Sequence, residues 1–141
     1  MKREDGFSLI ELLIVVAILL IIATIAIPGL RAVRNNANAG SAIQSLRTIT
    51  TAEHLYQRKF KAYGTLAALF PEGTIDTNLA GGAKSGYLFT ITLGVGGQTY
   101  GCNATPQVSV NELEHFFVDE TGVIRVKTGA PADATSPALQ R

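Results

Sequence analysis

Phe7-Ser8-Leu9-Ile10-Glu11-Leu12-Leu13 opens a run of apolar residues that continues to Leu30, and the reading of this stretch decides the fold. From Leu12 to Ile27 the only polar side chain is Thr24. A helix over residues 7–30 is long enough to cross the hydrocarbon core of a bilayer, which takes about 20 residues. It is apolar on every side, so lipid or other apolar protein must surround it. Lys2 and Arg3 before it are balanced by Arg31 and Arg34 after it, so the basic residues leave its orientation open.

Beyond Leu30 the pattern becomes one-sided. Leu30, Val33, Ala37, Ile43, Leu46, Ile49, Ala52, Tyr56 and Phe60 recur at threes and fours or their multiples, while Arg31, Arg34, Asn35, Asn38, Gln44, Arg47, Gln57 and Arg58 fall on the opposite face. Residues 31–62 therefore read as an amphipathic continuation of the same helix. Pro28-Gly29 is the strong interruption, expected to kink or locally melt the helix while allowing it to resume. A helix from Phe7 to about Phe60 would run roughly 80 Å at 1.5 Å per residue. Half of it is expected to project beyond the globular part.

The rest of the chain is turn-rich. Residues 63–86 read as a connecting loop with a helical turn at Leu66 to Phe70, stopped by Pro71. Tyr87, Phe89, Ile91 and Leu93 alternate with Leu88, Thr90 and Thr92, the period of a half-buried strand. Gln98 to Ala104 is a second strand candidate interrupted by Gly101. Glu114 to Val118, the turn Asp119-Glu120-Thr121-Gly122 and Val123 to Lys127 form a hairpin. Residues 87–128 thus make a small antiparallel sheet, and 129–141, rich in Ala, Pro, Ser and Thr, a flexible tail. The fold class is α+β: a long N-terminal helix, apolar then amphipathic, packed on a sheet of about four strands.

Composition narrows the function. Twelve Lys and Arg against 11 Asp and Glu leave no bulk charge for nucleic acid, and 47% hydrophobic residues exclude a disordered chain. No metal-ligand spacing, cofactor loop or nucleophile elbow is present, and Gly94-Val95-Gly96-Gly97 sits between strand patterns as a turn. Cys102 is the single cysteine, so no intramolecular disulfide can form. With His54 and His115 it has no local signature of a Cys/His enzyme. No catalytic, cofactor-binding or metal-binding residue is therefore assigned.

Glu11 is the exception within the apolar run. A charge at the bilayer centre costs on the order of 3 kcal/mol, so a carboxylate there is functional by default unless it sits hydrated at the membrane edge. It lies four residues after Phe7, where a free amine would be a positive charge demanding a counter-ion in an apolar setting.

Gly6-Phe7-Ser8-Leu9-Ile10-Glu11 at the head of a long apolar helix resembles the class III signal of type IV pilins and type II secretion pseudopilins. The resemblance covers about the first sixty residues in sequence and the remainder only in its helix-then-sheet order. It implies a leader of residues 1–6, cleavage between Gly6 and Phe7 by a prepilin peptidase, methylation of the new Phe7 amine, and packing of the helices into a filament core. Glu11 would pair there with the Phe7 amine of an adjacent subunit, and Pro28 stands where pilins commonly carry a proline. The implied partners are other copies of the chain in a helical filament, the peptidase and methyltransferase, the assembly machinery, and the inner membrane before assembly. The implied location is the inner membrane and then an extracellular pilus. The chain lacks the two C-terminal cysteines of many pilins, which leaves open how its C-terminal edge is tied down.

Three function classes follow. The first is a filament subunit, either a pilin of a surface fibre or a pseudopilin of a periplasmic piston. The second is an enzyme secreted by ordinary signal peptidase, for which Thr24-Ile25-Ala26 is a marginal site. The third is a single-pass anchor carrying a binding domain, which leaves Glu11 without a purpose.

Overall fold

A computed structural model describes residues 6–108 and 111–140; the expected leader, apart from Gly6, lies outside the described residues. The chain divides into two compact units, Met1–Asn36 and Ala37–Arg141. One helix, α1 (Leu9–Phe60), supplies residues to both.

In the first unit no described residue covers the apolar span of α1. It is the one described helix long and apolar enough to cross a membrane. Helical structure continues through Pro28 and Gly29 without a break.

In the second unit α1 buries one stripe. Ala39, Ala42, Ile43, Leu46, Ile49 and Ala52 are buried, with Tyr56 packed against them. This spacing of three and four is the expected one, but the buried face starts at Ala39: Leu30, Val33 and Ala37 are exposed, as is Phe60. Leu30 and Val33 have no sheet within their own unit, and Ala37 and Phe60 flank the packed stretch, so periodicity alone overstated its length. Short elements follow the helix. Thr65 caps α2 (Leu66–Leu69) by accepting from the Ala68 N–H at 3.3 Å. A 3-10 turn, Phe70–Glu72, carries Pro71 near its start. Asp76 caps α3 (Thr77–Ala80) by accepting from the Leu79 N–H at 2.8 Å and pairs with Lys84 at 2.5 Å. Leu66, Leu69, Ile75 and Leu79 from this connection enter the core.

The sheet has five strands, not about four. They are β1 (Ala83–Lys84), β2 (Tyr87–Leu93), β3 (Tyr100–Pro106), β4 (Glu114–Asp119) and β5 (Arg125–Thr128), antiparallel and in sequential order. The extra strand, β1, lies inside the expected loop, two residues long and too short to show a period. β3 begins later than expected and runs straight through Gly101. Glycine is required there because the Phe117 ring crosses it, with Cε2 only 2.9 Å from where a Cβ would stand. Tyr87, Phe89, Tyr100, Cys102, Ala104, Phe116 and Val118 form the buried face against α1.

Residues 129–140 are not a loose tail. Ala132 and Ser136 are buried, and Leu139 packs on the core. Composition pointed to fraying, but backbone and side-chain hydrogen bonds to neighbouring strands hold the segment in place.

Candidate functional site

Ser8 stands immediately before the first helical turn, and its backbone N–H donates to Glu11 Oε2 at 3.0 Å. The Leu12 N–H in turn donates to the Ser8 carbonyl at 3.1 Å. A carboxylate three residues into a helix that reaches back to the residue before it is one arm of a capping box, and it satisfies a donor the helix leaves open. The sequence reading missed this, although Ser8-Leu9-Ile10-Glu11 is the Ser-x-x-Glu signature itself. Gly6 and Phe7 precede the helix and are exposed. Glu11 thus has an intramolecular partner within its own turn, next to the expected cleavage point.

Every Phe, Leu, Ile and Val from Phe7 to Leu30 is exposed, between 45% and 81%. Arg31 and Arg34, also exposed, end this surface. Burying one such side chain is worth roughly 1.5–3 kcal/mol. Such a surface is costly to leave in water and calls for lipid or other apolar protein to cover it.

Cys102 is fully buried in β3, and burial pushes its thiol up to about 12, so it is neither accessible nor a thiolate. His54 is exposed on α1 and lies edge-on to Tyr63, while His115 is half-buried on β4. Among the described residues no group of His, Cys, Asp and Glu is arranged to hold a metal ion. Gly94–Gly97 is a turn, closed by the Gly97 N–H to the Gly94 carbonyl at 3.0 Å.

Residues 1–27 match the family model of the prokaryotic N-terminal methylation motif. The chain is also 38% identical over 78 residues to the type IV wide pilus major component PilA4 of Thermus thermophilus. That alignment spans 55% of this chain and 60% of the relative. Over that stretch the chain resembles a type IV pilin.

Its pilin-like architecture, a long helix with an apolar head and an antiparallel sheet, is held among the described residues without a disulfide. Asn103 Nδ2 donates to the Ala132 carbonyl at 2.7 Å, and Arg125 Nη1 donates to the Ser136 carbonyl at 3.0 Å. The Val126 N–H bonds to the Pro137 carbonyl and the Leu139 N–H to the Ile124 carbonyl, at 3.0 and 2.8 Å. Asp133 accepts from the Thr135 N–H and hydroxyl and from the Ser136 hydroxyl, which hold its carboxyl down to about 2. This strap also pairs along β5, covering an edge that would otherwise be open to another strand.

The core hides one further group that periodicity gave no reason to expect. Glu53, on the buried stripe of α1, is fully inaccessible. Its Oε2 accepts from the Gly64 N–H at 2.9 Å, and its Oε1 has no partner among the described residues. Burial pushes this carboxyl up to about 7, the Gly64 bond opposing the rise.

Proposed function

We propose that this chain is a structural subunit of a type IV pilus filament, processed by a prepilin peptidase and assembled from the inner membrane. The observation that carries the reading is the apolar segment from Phe7 to Leu30, its large apolar side chains all exposed, within a chain that opens on a methylation motif. The relative's role as a major pilus component favours a surface fibre over a secretion-system piston. A purely structural role, without catalysis, accords with the buried and protonated Cys102.

Cleavage between Gly6 and Phe7 removes the leader and leaves a Phe7 amine, which a methyltransferase modifies. The subunit waits with its apolar helix in lipid. Assembly exchanges lipid for sister helices, since any route through water would expose hundreds of Å² at about 25 cal/mol per Å². A head-to-tail contact whose rotation does not close produces a helical fibre. Within that dry core Glu11 pairs with the Phe7 amine of a neighbour. An unpaired charge there is costly, so the pair penalises wrong axial registers more than it strengthens the right one. Glu11 must change partner to do this, leaving the Ser8 N–H for the incoming amine or sharing its two oxygens between them. Pro28 breaks one helical hydrogen bond and Gly29 lowers the cost of bending, so the helix yields there as subunits pack.

Intact-mass analysis of sheared fibres tests the reading. The expected species starts at Phe7 and is one methyl group heavier than the bare sequence. A mature chain starting at Ile27 would instead mean ordinary signal-peptidase secretion and would sink the proposal.

A further inference from the structure

Glu53 sits where α1 hands over to the rest of the globular unit. The Gly64 N–H that it accepts lies in the turn leaving the helix, and this turn is locked from two other sides. The Tyr63 N–H donates to the Gly97 carbonyl at 2.8 Å, joining it to the β2–β3 turn, and Gly64 packs so tightly on Tyr56 that a Cβ would stand 3.0 Å from the ring. A fully buried carboxylate with one bare oxygen holds such a lock badly when charged and well when neutral.

The groups facing Glu53 offer it no cation. Tyr63 follows α1, Tyr100 and Cys102 come from β3, and Glu120 of the β4–β5 turn acts on Tyr63; each is neutral or acidic. Among the described residues Glu53 makes no ion pair. Tyr100 directs its hydroxyl to Thr50 instead, at 3.3 Å.

We propose that Glu53 is an internal proton-binding site, protonated on Oε1 in the intact unit, and that loss of this proton to water loosens the Lys61–Gly64 turn and the β2–β3 turn bonded to it. The O–H bond to Oε1 is the only one broken, and Oε2 keeps the Gly64 N–H until the turn opens and water reaches the carboxylate. The sign follows from the elevated folded value. An acid raised from 4.5 to about 7 contributes stability that is complete below about 4.5 and is lost as pH rises through about 7. His115 works in the opposite sense. Burial lowers its imidazole, so its contribution is lost as pH falls, and a comparison of variants that both retain His115 cancels it. The inference does not depend on filament assembly.

The test is hydrogen exchange at the Tyr63 and Gly64 amides of the full chain in detergent, corrected for intrinsic rates, between about pH 5 and about pH 8. Relative to Glu53→Gln, protection in the wild type should fall with rising pH, by up to about 70-fold over this range for a shift of this size. Equal pH dependence in both proteins, or none in the wild type, overturns the proposal. Should Glu53→Gln fail to fold, the carboxyl carbon shift of Glu53 in the wild type decides: titration near neutrality supports the proposal, and full ionisation at about pH 5 overturns it.

Discussion

Glu11 carries two jobs, and they are separable by substitution. Its carboxylate accepts from the Ser8 N–H, which any good acceptor can do, and on the proposed function it also neutralises a neighbour's amine, which only a charge can do. Glu11→Gln keeps the acceptor and loses the charge. Both Glu11→Gln and Glu11→Ala should therefore reach the membrane, because removing a charge eases insertion, and both should be depleted from fibres when co-expressed with wild type. A lost buried pair of about 3–5 kcal/mol corresponds to about two to three orders of magnitude in subunit addition. If Glu11→Gln appears in fibres at wild-type abundance while Glu11→Ala does not, the carboxylate works through the cap. Cys102 gives a simpler prediction at the same scale. Its buried, protonated thiol should stay unmodified by alkylating reagents in native fibres and react once they are denatured, so disulfides between intact subunits are not expected.

At the scale of elements, α1 is two helices in physical terms. Its first part has no apolar partner in its own unit, while from Ala39 to Tyr56 it is held by the sheet. A fragment starting near Ala37 should be soluble and show a mixed helix and strand circular-dichroism spectrum, since it keeps the whole buried stripe. Insolubility would mean that the apolar part also stabilises the head. The strap is the second element with a measurable consequence. Asn103→Ala removes its bond to the Ala132 carbonyl and should cost about 1 kcal/mol, read as a lower denaturation midpoint. The same change at a position bonded only to water would cost far less.

For the whole molecule, the division into a bare helix and a packed unit matches a protein that exists first in lipid and then in a filament. Electron microscopy of cells lacking this subunit should show loss of long surface fibres; normal fibres with impaired protein secretion would favour the piston. The helix-then-sheet order, the hairpin at Asp119 to Gly122 and the core face of β2 were all readable from local patterns, because each depends on spacing within a few residues. So was the capping box, had Ser8 and Glu11 been read as a pair. The motif at residues 1–27 was legible for the same reason, being a contiguous run of residues.

Tertiary structure alone decided the remainder, and in each case the cause lies in partners that the local pattern does not name. β1 exists because Ala83 and Lys84 find Leu88 and Tyr87, not because two residues carry a period. The strap is ordered because Asn103 and Arg125 reach Ala132 and Ser136, whereas its own composition reads as a frayed end. Glu53 has the spacing of a core residue and the chemistry of a surface one. Only the sheet closing over α1, with the Gly64 N–H arriving from beyond the end of the helix, places a carboxyl in the interior. Periodicity records which face of a helix can be buried; what covers that face, and which polar groups are trapped beneath, depends on partners that the local sequence does not contain.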